Sequence, residues 1–194
     1  LGPGQPVFVV AEIGNNHNGS LDAARRLVDA AADAGVDAVK FQMRDLASLY
    51  VNGGDATDQA ADLGEQYTLD LLARFQLEDD ALFRVFDHCR DRGVLPLCTP
   101  WDLHSLDRLE TVDLPAYKIA SADLTNHELI EAACGTGRPL VLSTGMSTED
   151  EIVDDDGDTL IDVDGADPDA EEQEIVDGAI HDCNNALGLE HVIR

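Results

Sequence analysis

Apolar stretches of strand length alternate along this chain with stretches whose apolar positions recur at helical spacing. The first apolar stretch, 7–13, is almost unbroken, which is typical of a parallel strand covered on both faces. Ser20 follows as a helix N-cap, and Gly35 ends the helical pattern that begins after Ser20. The next apolar stretch is 36–42. A strand, a helix and a second strand within about 35 residues predict a right-handed βαβ unit.

The same alternation continues to about residue 145. It predicts helices at 79–92, 103–110 and 126–134, and strands at 94–99, 116–120 and 140–144. A further helix at about 172–187 leads to a sixth strand that begins at His191. No GxGxxG turn interrupts the pattern, which favours a TIM-type (β/α) barrel over a nucleotide-binding doubly wound sheet.

The predicted domain therefore covers 1–194 as a partial (β/α) barrel, truncated after about five to six strands. A closed barrel of this kind needs eight strands, so we expect a fragment, a barrel completed by something else, or an open half-barrel.

Two stretches interrupt the alternation. The stretch 43–66 is a long connection rich in Gly, Asp and Ala, and its length predicts a functional segment such as a lid. The stretch 154–172 reads DDDGDTLIDVDGADPDAEE and is predicted to be an acidic surface insertion. Its aspartates could offer oxygen ligands to calcium, but they lack the full EF-hand order, which favours a solvated loop.

The charge of the chain is extreme, with 40 acidic residues against 12 basic ones and a formal net charge of -28. Only two of the basic residues are lysines. Acidic enrichment with lysine depletion indicates a salt-adapted, cytoplasmic protein, because salt screens the self-repulsion. The acidic excess is spread over every predicted helix, so nucleic acid is not an expected partner.

Membrane insertion and disulfides are not expected either. No apolar run approaches the roughly 20 residues of a membrane span. The four cysteines form no CxxC pair, so we predict buried or free thiols in a reducing compartment.

Polar side chains mark the carboxyl ends of the predicted strands, where parallel α/β folds build their sites. They are Glu12, Lys40, Gln42, Thr99, Lys118, Ser121, Asp123, Ser143 and Thr144. A lysine inside a strand is costly unless an anion meets its ammonium group. Each lysine could pair with a carboxylate such as Glu12 or Asp123, or both could converge on a bound phosphate or carboxylate, which we favour. Glu12 itself could be a general base, a metal contact or a salt-bridge partner.

The loop 14–19, GNNHNG, leads from Glu12 into the first predicted helix. Its glycines and asparagines fit a simple turn as well as they fit contacts to a polyol or an amide.

Four motifs carry a resemblance to a known family: AEIGNNHNGSLDAARRLVDAAADAGVDAVKFQ at 11–42, CTPWD at 98–102, YKIASADLTN at 117–126 and LSTGMS at 142–147. In this order and at this spacing, the chain resembles the sialic acid synthases. These enzymes condense phosphoenolpyruvate with an N-acylated mannosamine-type sugar to give a nonulosonic acid and phosphate.

The resemblance implies that the phosphate and carboxylate of phosphoenolpyruvate are held by Lys40, Thr99, Lys118, Ser121 and Ser143. It also implies that Glu12, as the catalytic residue, faces the sugar or a metal-bound water together with Gln42 and Asp123. The cofactor it implies is a divalent metal, Mn or Mg, and a homodimer is possible. The family's metal-binding histidines belong to an HCxxxYP-type segment and beyond, which the sequence to Arg194 does not contain, so no metal ligand is predicted here.

The family's C-terminal antifreeze-like domain is also absent from this sequence. The alternatives are therefore a non-catalytic or decayed barrel fragment that binds a phosphorylated ligand, or another condensing enzyme for phosphoenolpyruvate and an aldose. A calcium-binding module built on 154–172 is a third alternative.

Overall fold

The structure, a computed structural model, describes residues 6–49, 72–145 and 147–148. In these residues one sheet contains β1 (Val10–Glu12), β2 (Ala38–Met43), β3 (Leu95–Pro100), β4 (Tyr117–Ile119) and β5 (Leu140–Leu142). The spatial order of the strands equals their order in the chain, and every neighbouring pair is parallel. The five strands form the half-barrel of a TIM-type (β/α) fold, as the sequence predicts.

Helices connect the strands and cover one side of the sheet. They are α1 (Leu21–Asp33), α2 (Leu46–Leu49), α3 (Asp79–Asp91), α4 (Leu103–Leu109) and α5 (His127–Gly135), with a 3-10 turn at Ser121–Asp123. Side chains cap three of these helices, because Ser20, Asp102 and Asn126 each accept a hydrogen bond from a backbone N–H of the first turn.

The two faces of the sheet differ because successive side chains of a strand point to opposite sides. Val39, Phe41 and Tyr117 lie on the outer face, in the main core with the helices. Ala38 and Leu97 lie on the inner face, in a separate small apolar cluster. Alternation therefore places the lysines and the other polar positions of the strands on the inner face, above this cluster.

The structure differs from the sequence prediction at two places. The first strand is shorter than 7–13, and Val7 and Val9 are 84% and 45% exposed rather than covered. The connection predicted at 43–66 begins with helix α2. The remainder of that connection, the insertion 154–172, the helix 172–187 and the strand at His191 lie outside the described residues.

Two further findings concern the described ranges alone. None of their helices is long and apolar enough to cross a membrane. Cys89, Cys98 and Cys134 are buried free thiols, as predicted, whereas Cys183 lies outside the described residues.

Replacing Gly19 with Ala tests how the loop 14–19 is held. Gly19 has a φ of +73°, and an added Cβ would lie 2.5 Å from the carbonyl oxygen of Arg74. We expect a loss of about 2–4 kcal/mol in the free energy of unfolding, measured by urea titration in molar salt. The matched control is Gly35→Ala, because Gly35 has a φ of +78° and no atom within 4 Å of the added Cβ. It should lose only about 1–2 kcal/mol; equal losses would show that the contact with Arg74 is unimportant.

Candidate functional site

The strand register brings the predicted site residues together at the carboxyl ends of the strands. Glu12 of β1 lies opposite Lys40 of β2, and Gln42 lies opposite Thr99 of β3. Lys118 lies opposite Val141 of β5, and Ser143 follows that strand directly. Ser121 and Asp123 belong to the 3-10 turn after β4. All the residues that the sequence singled out for binding or catalysis therefore lie at the carboxyl-terminal ends of the strands or directly after them.

Lys40 and Glu12 form an ion pair across the first two strands. The Lys40 Nζ lies 2.7 Å from Glu12 Oε2, and the side chains are 8% and 58% exposed, respectively. The pairing with a carboxylate that the sequence left open is therefore present for Lys40. Because Glu12 is largely exposed, it neutralises the buried ammonium while keeping one side of its carboxylate accessible.

Lys118 has neutral partners instead. Its Nζ donates to the carbonyl oxygen of Ile119 at 2.6 Å and to Ser143 Oγ at 2.5 Å. Burial lowers the pKa of Lys118, and the nearby charge of Lys40 lowers it further, whereas Glu12 raises it. No carboxylate of the described residues forms an ion pair with Lys118. Two ammonium groups thus share the field of one exposed carboxylate, which makes this end of the sheet attractive to an anion.

Thr99 contributes a buried hydroxyl on β3, opposite Gln42. The residue is 1% exposed, and its Oγ1 has no hydrogen-bond partner among the described atoms. A buried unpaired hydroxyl costs free energy, so it is a group that a bound oxygen atom would satisfy. Ser121 lies near the loop after β5, since its Cβ is 4.0 Å from the position that a Cβ on Gly145 would take.

Asp123 ends the 3-10 turn after β4, where the charges of Arg44 and Asp102 act on its carboxyl group. Asn126 Nδ2 donates to its Oδ1 at 3.2 Å, whereas Oδ2 is buried without a partner in the described structure. Burial raises the pKa of Asp123; Asn126 and the charge of Arg44 lower it, and Asp102 raises it. Asp123 is therefore a carboxyl group that protonates more readily than an ordinary aspartate, and the cation that acts on its pKa is Arg44.

Arg44 and Trp101 are the site residues that sequence reasoning missed. The Arg44 guanidinium carbon lies 4.2 Å from the centre of the Trp101 ring, and Nη2 donates to Gln42 Oε1 at 2.6 Å. Arg44 was hidden because it falls in the long connection after β2, where no periodicity assigns a direction to a side chain. The one signal in the sequence was that Arg44 directly follows β2, the strand that carries Lys40 and Gln42.

His17 anchors the loop 14–19 rather than facing the strand ends. It is 2% exposed, its Nδ1 accepts a hydrogen bond from Gly19 N at 3.1 Å, and its ring lies 6.2 Å from that of Phe41. Burial lowers its pKa, and a hydrogen bond with the backbone of Gly14 opposes that shift. For this histidine the turn interpretation of the loop therefore fits better than a sugar contact.

The described residues do not fit a bound metal ion. No three of their His, Cys, Asp or Glu side chains lie close enough together to form a ligand set. The candidate carboxylates also have other partners, since Glu12 pairs with Lys40 and Asp123 accepts a hydrogen bond from Asn126. The Mn or Mg implied by the resemblance stays a prediction, and its ligands would have to include residues outside the described ranges.

Comparisons with known proteins agree on one family. The sequence profile of the NeuB family matches residues 27–160. The spore coat polysaccharide biosynthesis protein SpsE of Bacillus subtilis is 36% identical over 145 residues, which are 74% of this chain and 38% of that protein. The N,N'-diacetyllegionaminic acid synthase of Campylobacter jejuni is 32% identical over 147 residues, covering 75% of this chain and 44% of that protein.

Solved structures show the same fold. The N-acetylneuraminic acid synthetase of Leptospira borgpetersenii, solved with citrate, has a TM-score of 0.66 at 23% identity, covering 94% of this chain and 52% of that one. The structure of SpsE from Bacillus subtilis has a TM-score of 0.60 at 34% identity, covering 76% of this chain and 38% of that one. The chain spans about two fifths of the length of the curated relatives, between 38% and 44%.

Proposed function

The chain belongs to the NeuB family, and on that basis we propose that it condenses phosphoenolpyruvate with an N-acylated mannosamine-type sugar to give a nonulosonic acid and phosphate. Relatives named as synthases of legionaminic and pseudaminic acid support this class of product. The observation that carries the proposal is the pair of lysines at the strand ends, which share one exposed carboxylate. Phosphoenolpyruvate carries a phosphate and a carboxylate, so it supplies the negative charge that this pair lacks.

On the phosphate side, Lys40 and Lys118 neutralise the anion while hydroxyl groups orient its oxygens. Thr99 offers a buried hydroxyl without a partner. Ser143 already accepts a hydrogen bond from Lys118, so its own hydroxyl proton is free to point at a ligand. Ser121 completes the set from the turn after β4. Charge-assisted hydrogen bonds of this kind are the strongest that a protein offers to phosphate.

On the sugar side, Glu12, Gln42 and Asp123 face the second substrate. The enol carbon of phosphoenolpyruvate attacks the aldehyde carbon of the open-chain sugar, which forms the new C–C bond. Water then adds to the former enol phosphate carbon, and the tetrahedral intermediate expels phosphate by cleavage of the C–O bond. Glu12 manages the proton transfer at the aldehyde or the water, because its carboxylate is accessible and is held in place by Lys40.

Phosphate release tests the proposal. The full chain, in molar KCl with Mn²⁺, is mixed with phosphoenolpyruvate and with one of two sugars, either N-acetylmannosamine or a diacetamido relative of it. The phosphate that is released is then measured. We expect release that requires both substrates and equals the amount of keto acid formed. Release from phosphoenolpyruvate without any sugar would contradict condensation, as would no release with any acylated sugar tried.

The binding of phosphoenolpyruvate should depend on the charge of Lys118. Because burial and Lys40 lower the pKa of this lysine, its charge is lost at a lower pH than that of an ordinary lysine. Affinity should therefore be full at neutral pH and should fall as the pH rises through the lowered pKa, still below the usual 10.5 or so. Calorimetric titrations between about pH 7 and pH 10 would measure this.

The matched variant for this pH series is Lys118→Arg, since an arginine stays charged throughout the range. The alkaline decline in its affinity should disappear or move to higher pH, whatever its affinity at neutral pH. An identical decline in both proteins would assign the titration to another group.

A further inference from the structure

Arg44 holds the side-chain amide of Gln42 in one orientation. Its Nη2 donates to Gln42 Oε1 at 2.6 Å. A guanidinium group has only donors, so the Gln42 atom that faces Arg44 has to be the amide oxygen. The amide nitrogen then points the other way, and it lies 3.5 Å from the position of a Cβ added to Gly14. Gln42 therefore presents hydrogen-bond donors towards the loop that follows Glu12.

The position of Arg44 is itself fixed from several sides. Its guanidinium group stacks on Trp101, with 4.2 Å between its central carbon and the ring centre. The backbone N–H of Trp101 donates to the carbonyl oxygen of Met43 at 3.1 Å, which ties the residue after β3 to the end of β2. Gln76 Nε2 donates to the carbonyl oxygen of Arg44 at 2.7 Å. The stacked guanidinium is thus a rigid support rather than a solvated arginine.

From this geometry we infer that Arg44 is a positioning residue that acts through Gln42 and sets which sugars the site accepts. With its oxygen oriented towards Arg44, Gln42 turns its two N–H groups to the opposite side, where it offers donors to the sugar. The sugar group that faces it must then carry an acceptor oxygen, such as an acyl carbonyl or a hydroxyl, and a protonated amine at that place is disfavoured. The inference rests on the proposed function, because it assigns the sugar to this side of the site.

The first test compares Arg44→Met with Arg44→Lys in the full chain. Methionine keeps apolar contact with Trp101 but removes the donors, whereas lysine keeps a group that can only donate. We expect the sugar KM to rise roughly tenfold in Arg44→Met, the scale of one well-placed hydrogen bond, and to return most of the way in Arg44→Lys. The KM for phosphoenolpyruvate and the kcat should stay within about twofold, because Arg44 acts on the orientation of the Gln42 amide and leaves Lys40 and Lys118 in place.

The second test asks whether the effect passes through Gln42. In a Gln42→Ala background, Arg44→Met should change the sugar KM by less than about twofold, since no amide remains to be oriented. A full tenfold effect in that background would overturn the inference. So would an unchanged sugar KM in the single variant Arg44→Met. Arg84→Met serves as the control, because Arg84 is an exposed arginine of α3 whose Nε donates to the carbonyl oxygen of Asp80.

A readout without turnover separates this inference from the proposed function. The side-chain amide protons of Gln42 are identified in a ¹⁵N–¹H spectrum by their loss in Gln42→Ala. They should shift in Arg44→Met, return towards their original place in Arg44→Lys and stay unshifted in Arg84→Met. If the wild type releases no phosphate, the proposed function fails while this spectrum still tests the orientation. Unshifted amide protons in Arg44→Met would overturn the inference even in an active enzyme.

Discussion

Lys118→Met is expected to weaken the binding of phosphoenolpyruvate by about 2–5 kcal/mol, which is roughly 30-fold to several-thousand-fold. Lys118 is partly buried and has no carboxylate partner among the described residues. The substitution therefore removes the positive charge that is proposed to meet the ligand. Methionine keeps the length and the apolar stem of the side chain, so the sheet should stay intact. Calorimetric titration with phosphoenolpyruvate at neutral pH measures the change.

Two controls make this result specific. Arg84→Met removes a positive charge from an exposed position of α3 and should leave the affinity within about twofold. The melting temperature of Lys118→Met should be equal to or above that of the wild type, because a desolvated charge has been removed. An unchanged affinity for phosphoenolpyruvate would show that Lys118 is a structural residue that only donates to Ser143 and Ile119.

Glu12→Gln is expected to lower kcat by about 100-fold to 10,000-fold, the usual range for removing a general acid or base. Glutamine keeps the shape and can still accept a hydrogen bond from Lys40, so the arrangement of β1 and β2 should persist. The affinity for phosphoenolpyruvate should be kept or increased, because one negative charge near the anion is gone. Stopped-flow phosphate release combined with calorimetry separates the two effects.

The matched control for this substitution is Glu131→Gln, an exposed glutamate on α5 away from the strand ends. It should leave both quantities unchanged. A Glu12→Gln protein that turns over at the wild-type rate would reduce Glu12 to the salt-bridge partner of Lys40, the interpretation that the sequence had left open.

The elements that the sequence predicted well are those with a local stop signal. Helix α3 was predicted at 79–92 and is Asp79–Asp91, since Gly93 takes a φ of +74° directly after its end. Strand β1 was predicted too long, because apolar residues continue upstream of the point where backbone pairing with β2 begins. An apolar run records which side chains avoid water, but it does not record where a neighbouring strand starts.

For the candidate site, too, the sequence predicted the features that depend on local pattern and missed those that depend on contacts between distant residues. Alternation within a strand and the parallel register were enough to place Lys40, Gln42 and Lys118 on one edge, because both are properties of short sequence. The partner of each lysine was not predictable, since the Glu12 pair and the Ser143 contact depend on the spacing of adjacent strands. Arg44 needed the three-dimensional path of the loop after β2, which brings it onto Trp101 from another loop.

Phosphate release in ¹⁸O-enriched water tests the central claim most directly. If the chain condenses phosphoenolpyruvate with an acylated sugar, water attacks carbon and the C–O bond breaks. The released phosphate should then carry no ¹⁸O, and the label should appear on the former enol carbon of the new keto acid. Labelled phosphate, produced by attack of water on phosphorus, would contradict the account.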